Sequence, residues 1–148
     1  MFSLSLITGI AACVINASSV NNIEPELLLS VMAVEGGTLG SVSINKNGSH
    51  DLGIMQINTH AWLKLISRSF FNGDEKTAYN KLKDDACFNI SVGAWILHHS
   101  IILEGGNVWE GVGRYHSATP EYKYRYIGKV KNVYGKITYS QSKQQTNM

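Results

Sequence analysis

The stretch ACFNISVGAWILHHSIIL, residues 86–103, is apolar on almost every side of the helix that it would form. A helix without a polar face lies at the centre of a domain or spans a membrane. Asn89, His98 and His99 make a membrane position unfavourable, because polar groups are costly in a bilayer. We therefore expect residues 86–103 to form a central buried helix around which the rest of the chain packs.

Helix signals flank this segment on both sides. Pro25 suits the first turn of a helix that begins near Asn22, and Gly36-Gly37 ends it. The other predicted helices span 60–70 and 75–83 and begin at Asn107 and at Thr119-Pro120. Residues 37–58 are rich in Gly, Ser and Asn and predict a short irregular or β-like segment. The fold class is thus mainly α, in one compact helical domain.

Composition excludes several classes of protein. The chain has 148 residues, of which 44% are hydrophobic and 16% charged, so it is too apolar to be disordered. Two cysteines exclude a disulfide-dense scaffold and a multi-cysteine metal site. His98 and His99 are adjacent and would point about 100° apart on a helix. No phosphate-binding glycine loop or nucleophile-elbow motif occurs, and we expect neither a metal nor a cofactor.

Positive charge is concentrated at the C-terminal end of the chain. Residues 111–148 contain seven basic residues and one acid, a net charge of +6, against +2 for the whole chain. Six of the seven tyrosines lie in the same segment. This pattern suits an anionic polymer, either nucleic acid or bacterial cell wall. The alternative is a solvated helix with a packed aromatic face.

The N-terminal segment indicates export. Residues 1–15 are uncharged, and 2–15 have the length of a signal-peptide core, although a positive leader is missing. We predict a signal segment at 1–12; the alternative is a buried N-terminal helix. Ile10-Ala-Ala-Cys13 resembles a cleavage site before a lipidated cysteine. Export would equally permit a Cys13–Cys87 disulfide, and these residues alone leave both possibilities open.

Two carboxylates are the candidates for catalysis. Glu35 ends an apolar helix, where desolvation and the helix dipole disfavour its ionised form, as a general acid requires. Asp51 follows sixteen residues later, and paired carboxylates are typical of glycosidases. The alternatives are an exposed helix end for Glu35 and a turn residue for Asp51.

Several motifs in order resemble the soluble-lytic-transglycosylase, goose-lysozyme-like family. They are Glu35-Gly-Gly, the segment NKNGSHDLGIMQIN at 45–58, CFNISVGAWIL at 87–97, VGRYHSATP at 112–120, and residues 126–130. The nearest subgroup accompanies type IV secretion, conjugation, type IV pili and type III secretion, with conjugal members closest. The resemblance covers about 13–134, leaves 135–148 as a polar tail, and implies a lysozyme-like α+β fold.

The resemblance also implies roles for individual residues. Glu35 would be the catalytic acid and base, Asp51 an auxiliary carboxylate, and Tyr115 would orient Glu35 or contact the sugar. The sugar cleft would be lined by Gln56, Met55 and the backbone of Gly53 and Ile54. Asn89 would brace the core near the cleft. The subgroup's cysteine before Ile-x-Pro implies a Cys13–Cys87 disulfide. Gly36 and His116 depart from the family's usual Ser and Asn.

The implied reaction is cleavage of the MurNAc-β-1,4-GlcNAc bond of peptidoglycan with formation of 1,6-anhydro-MurNAc. It would open the wall locally for a conjugation or type IV secretion apparatus, whose components are candidate partners. The alternatives are a lysozyme-like hydrolase and a non-catalytic peptidoglycan-binding assembly factor. We expect a monomer, exported to the periplasm or cell envelope, with no transmembrane span in the mature domain and no nucleic-acid partner.

Overall fold

The computed structural model describes residues 4–148, with side chains from residue 8 onward. These residues form two compact units. The first unit comprises the chain up to Asn16 together with Glu35–Gly93. The second comprises Ala17–Val34 and Ala94–Met148.

The prediction of a mainly α fold with a small β part is confirmed, consistent with a lysozyme-like fold. The helices are α1 (Leu4–Asn21), α2 (Pro25–Glu35), α3 (Thr59–Phe70), α4 (Glu75–Asp84), α5 (Ala86–Leu103), α6 (Val108–His116) and α7 (Pro120–Thr146). The strands are β1 (Val42–Ile44), β2 (His50–Leu52) and β3 (Ile57–Asn58).

Helix α5 is the predicted central helix. Among residues 4–148 it is the one helix with the length and hydropathy to cross a membrane, by those two criteria only. Ile90, Ala94 and Leu97 are fully buried, as a core helix requires. Trp95 and Ile102 remain 40% and 58% exposed, so α5 is not buried all round. The Trp95 ring stacks on His99 one turn further along, which covers part of its apolar surface.

The segment predicted to be irregular or β-like contains a three-stranded antiparallel sheet in the order β1-β2-β3. Ser43 pairs with Asp51, and Asp51 pairs with Asn58. Since paired residues of neighbouring strands share one face of a sheet, these three side chains form a polar row across it.

Helix α1 includes most of the predicted signal segment, and residues 1–3 of that segment lie outside the described residues. Cys13 and Val14 are buried. Cys13 is bonded to Cys87 across 74 residues of sequence, with the Cα atoms 5.2 Å apart. The disulfide implied by the family resemblance is therefore present, and it leaves no Cys13 thiol for a lipid.

The segment predicted as a polar tail is helical as far as Thr146, because α7 continues through it. Tyr134 Oη donates to Glu24 Oε2 (2.7 Å) and Gln141 Nε2 donates to Glu26 Oε1 (3.1 Å). These contacts attach the second half of α7 to the start of α2 within the second unit.

Candidate active site

Glu35 is the last residue of α2 and is half-buried. The chain then turns into the sheet segment through Gly36 and Gly37. A Cβ at Gly37 would overlap the Gly53 carbonyl oxygen and would lie 2.8 Å from both Gln56 Nε2 and the Ile54 carbonyl oxygen. Only glycine fits such an approach. The backbone two residues after Glu35 therefore packs directly on the turn that holds the predicted sugar-binding residues.

Asn89 of α5 fixes the position of this turn. Its Oδ1 accepts from Met55 N (2.8 Å), and its Nδ2 donates to the carbonyl oxygens of Leu52 and Leu82 (both 2.8 Å). Asn89 is 1% exposed, so these bonds are made away from water. Gly53 has φ +66°, and a Cβ there would lie 2.5 Å from Asn89 Nδ2. The turn is thus tied to α5 and to the end of α4.

Met55 lies on the inner side of the turn. It is fully buried, and a Cβ at Gly93 of α5 would overlap its sulfur. Ile54 is only 8% exposed. The structure therefore places both side chains in the core of the first unit, where they support the backbone of the Gly53–Gln56 turn.

Gln56 has φ +53°, a left-handed conformation that is unfavourable for a residue with a long side chain. Its Nε2 donates to the Gly53 carbonyl oxygen (2.9 Å), and its Oε1 accepts from Ser43 Oγ (2.7 Å). A carbonyl oxygen can only accept, so Nε2 must face Gly53. The second lone pair of Oε1 is then the part of the amide that can accept from a ligand.

Two amide side chains hold Asp51 on the face of the sheet that also carries Ser43 and Asn58. Asn58 Nδ2 donates to Asp51 Oδ1 (2.8 Å), and Asn45 Nδ2 donates to Asp51 Oδ2 (3.0 Å). Both amides also donate to Ser49 Oγ at 3.0 Å. Its cross-strand neighbour Ser43 bonds Gln56, so a continuous polar row connects Asp51 to the Gln56 amide.

The sequence alone does not indicate a role for Ser43, Asn45 or Asn58. Asn45 and Asn58 are the first and last residues of the 45–58 motif, and this motif is the sequence feature that marks them as candidate site residues. Ser43 precedes the motif, and only the pairing of β1 with β2 brings it beside Asp51.

Tyr115 and His116 lie on α6 in the second unit. Tyr115 is half-buried. The His116 ring stacks on Tyr126 with ring centroids 4.6 Å apart and planes 3° from parallel. Tyr126 is buried and His116 is exposed, so the His116 ring covers Tyr126 from the solvent side.

The chemistry of the first unit is that of a carboxyl group beside a rigid set of hydrogen-bonding groups. Within residues 4–148, no three His, Cys, Asp or Glu side chains are grouped as ligands of a metal ion. Glu35 can exchange a proton, and Gln56 and the Gly53–Gln56 backbone can bind a neutral polar substrate. An arrangement of this kind suits cleavage of a sugar bond by general acid catalysis.

Comparisons with known proteins identify a family and relatives that cover most of the chain. The model of the Transglycosylase SLT domain family matches residues 12–135. The "Invasion protein IagB" of Salmonella typhimurium is 34% identical over 139 residues, which cover 90% of this chain and 82% of that protein. "Protein IpgF" of Shigella flexneri is 29% identical over 128 residues, covering 85% and 79% respectively.

The family match extends over most of the chain, including α2, the sheet and α5. Peptidoglycan is the substrate that fits this domain. The chain belongs to the Transglycosylase SLT domain family, whose members are lytic transglycosylases, and it is a glycan-cleaving enzyme with a lysozyme-like domain.

Proposed function

We propose that the protein cleaves the β-1,4 bond between N-acetylmuramic acid and N-acetylglucosamine in peptidoglycan and releases a 1,6-anhydro product. Glu35 acts first as the general acid and then as the general base. The observation that carries this proposal is the packing of Gly37 on the Gly53–Gln56 turn, two residues after Glu35.

The position of Glu35 suits the first step. The C-terminal end of a helix carries partial negative charge, which favours the protonated carboxyl that a general acid needs. Glu35 gives this proton to the bridging oxygen. The bond from that oxygen to C1 of the muramic acid breaks, and its electron pair stays on the leaving N-acetylglucosamine. Positive charge then develops at C1 as an oxocarbenium ion.

The second step uses the same side chain. The Glu35 carboxylate takes the proton of the C6 hydroxyl of the muramic acid, and O6 forms a bond to C1. Glu35 is again protonated, and no water is consumed. One glutamate suffices because its two roles follow one another.

Asp51 is proposed as an auxiliary carboxylate. Both its oxygens already accept from Asn45 and Asn58, which fixes the carboxylate on the polar row. It would stabilise the developing cation through its charge. Tyr115 is proposed, from the family resemblance, to orient Glu35 or contact the sugar.

Replacement of the catalytic acid tests the mechanism. Glu35→Gln should lose at least about 10²–10⁴-fold in the rate of muropeptide release from purified sacculi while its thermal unfolding stays normal. Undiminished release would refute the role of Glu35. Mass spectrometry of the wild-type products identifies the reaction, because the anhydro sugar is lighter than the hydrolysed sugar by one water. A hydrolysed product would instead support a lysozyme-like hydrolase.

We further propose that this activity opens the cell wall locally for a secretion or conjugation apparatus. The similarity to a protein named for invasion supports a role in which the enzyme acts together with such an apparatus. The disulfide supports export to the envelope, since oxidising compartments allow such bonds to persist. Deletion of the gene should reduce transfer or secretion without slowing growth. Wild-type protein should restore it, whereas the Glu35→Gln variant should not.

A further inference from the structure

Helix α7 carries charge of almost one sign. Its range Pro120–Thr146 contains six Lys or Arg residues and one acid, Glu121 in the first turn. Arg125 pairs with Glu121, and Lys123 is turned inward to Glu104 and Glu110. From residue 126 to the end of α7 the sequence has no acid at all. The remaining lysines therefore have no carboxylate partner on their own helix.

Three of these lysines share one face of α7. Lys129, Lys136 and Lys143 are spaced seven residues apart, which is close to two helical turns, and all three are exposed. They extend about 21 Å along the helix. None of them forms an ion pair with any residue of the described chain 4–148. We call Lys129, Lys136 and Lys143 the basic stripe.

Two acids at the start of α2 contact α7 on a different face. Tyr134 and Gln141 bond Glu24 and Glu26, and these two positions lie roughly opposite the basic stripe around the helix. Val130, on the same side as Tyr134, is buried. The face of α7 that packs on the protein thus contacts the acids at the start of α2. The exposed face carries lysines that have no ion-pair partner among the described residues.

Exposed tyrosines flank the stripe. Tyr122 and Tyr139 are 51% and 61% exposed. Lys143 Nζ lies 5.1 Å from the centre of the Tyr139 ring, so the cation and the aromatic ring form one surface. Aromatic rings of this kind can stack on the flat faces of sugar rings, while the lysines attract carboxylates.

We propose that the basic stripe binds intact peptidoglycan outside the cleaving site, through the free carboxylates of its peptide stems. This proposal rests on peptidoglycan being the substrate, and it adds a second, non-catalytic contact with the same polymer. The contact retains the enzyme on the wall between cuts. An anionic membrane fits less well, because a membrane-surface helix inserts an apolar face, and the apolar side of α7 at Tyr126, Ile127 and Val130 is buried in the protein.

The test separates binding from cleavage. Three lysines of the stripe are replaced in the full-length chain (K129Q, K136Q, K143Q) in the Glu35→Gln background, which leaves sacculi uncut during the measurement. The matched control replaces three exposed basic residues on helices of the first unit (K64Q, R68Q, K76Q) with the same change in net charge. Glutamine preserves helix propensity, so both triple variants should fold. Retention on purified sacculi is measured against salt concentration.

Each exposed charge contact contributes a factor of about two to five, so the loss of three should weaken binding of the stripe variant to sacculi roughly ten- to a hundredfold. The control triple should bind as the Glu35→Gln parent does. In the active enzyme, the stripe variant should release muropeptides from whole sacculi more slowly and should cleave short soluble glycans at the normal rate.

Equal retention of the stripe variant and its parent, or an equal loss in the control triple, would overturn the proposal. Tighter stripe-dependent binding to double-stranded DNA or to anionic phospholipid vesicles than to sacculi would also overturn it. The outcome is independent of the cleavage chemistry. If the wild-type enzyme released no anhydro product while the stripe still governed retention, the proposed function would fail and the wall-binding surface would stand.

Discussion

Gln56 has a strained backbone conformation and a side-chain amide fixed by hydrogen bonds. Replacing this residue should therefore affect the stability and the activity of the protein differently. Glycine adopts φ +53° without the steric cost that glutamine has there. Gln56→Gly should therefore unfold at a temperature close to or above that of the wild type, although three side-chain hydrogen bonds are lost. If Gln56 binds the sugar as we propose, this variant should also lose at least about tenfold in kcat/KM for muropeptide release, because the acceptor oxygen Oε1 is gone.

Asn72 provides the matched control, since it has φ +52° and is exposed in the turn between α3 and α4. Asn72→Gly should leave kcat/KM unchanged. A Gln56→Gly enzyme with full activity would show that the Gln56 side chain has no part in substrate binding.

Ser43 is the residue that holds Gln56 Oε1, and its contribution should appear in KM. Ser43→Ala removes one hydrogen bond from the amide, and loss of a bond of this kind typically costs a factor of about two to ten. We expect KM to rise by that factor with little change in the unfolding temperature. Ser43→Thr retains the hydroxyl and should restore KM. Equal values for the Ala and Thr variants would argue against this positioning role.

At the scale of elements, Asn89 connects α5, the end of α4 and the Gly53–Gln56 turn. Asn89→Ala would leave the Met55 N–H and two carbonyl oxygens buried without partners, at a cost of about 3 kcal/mol or more. For a chain of this length that is a fall of roughly 10 °C in Tm. The exposed Asn80 of α4 is the control, and Asn80→Ala should change Tm by about a degree or less. Similar Tm values for the two variants would contradict the bracing role.

Helices α6 and α7 are joined by a charge cluster around Lys123. Lys123 Nζ lies 2.7 Å from Glu110 Oε2 and 3.0 Å from Glu104 Oε1, and Arg114 also reaches Glu104. Hydrogen bonds from Lys123 and Arg114 lower the pKa of Glu104 below its usual value of 4.5. Bonds to Glu110 and Glu104 raise the pKa of Lys123 above 10.5.

The lowered pKa of Glu104 and the raised pKa of Lys123 determine how the contribution of this cluster to stability changes with pH. The contribution of Glu104 is complete above about pH 4.5 and is lost as the pH falls through its lowered pKa. Lys123 contributes fully below pH 10.5, and its contribution is lost only as the pH rises through its raised pKa. Lys123→Met should therefore lower Tm most between pH 6 and 8, and the deficit should shrink below about pH 4. Thermal unfolding across this range tests it, with Lys129→Met as the control. A deficit that does not change with pH would mean that only packing was lost.

At the scale of the whole molecule, the sequence predicts those helices whose bounds are marked by nearby residues, such as an apolar run, a capping side chain or a pair of glycines. The bounds of α5 follow from its apolar run and from Gly105-Gly106, and α6 begins after Asn107 as its capping side chain predicts. The individual strands cannot be predicted from the sequence, because two or three residues are too few to show the alternation of polar and apolar side chains that marks a strand. Residues 135–146 carry no helix signal of their own, since Ile137 and Tyr139 are too few among polar residues to show a helical period. Glu35, Asp51 and Gln56 were identifiable from motifs, whereas the role of Ser43 depends on strand register.

The Cys13–Cys87 bond should be the largest single contribution to stability in the chain. It closes a separation of 74 residues, for which the loss of chain entropy in the unfolded state corresponds to about 4.5 kcal/mol. Both residues belong to the first unit, so the bond ties α1 to the start of α5 in the same unit as Glu35 and Gln56. Cys13→Ser with Cys87→Ser should lower Tm by roughly 10–15 °C, and dithiothreitol should bring the wild type close to that value. Activity at low temperature should persist, since neither sulfur takes part in the proposed chemistry. A wild-type Tm that is unaffected by dithiothreitol and matches that of the double serine variant would show that the bond does not form in the folded protein.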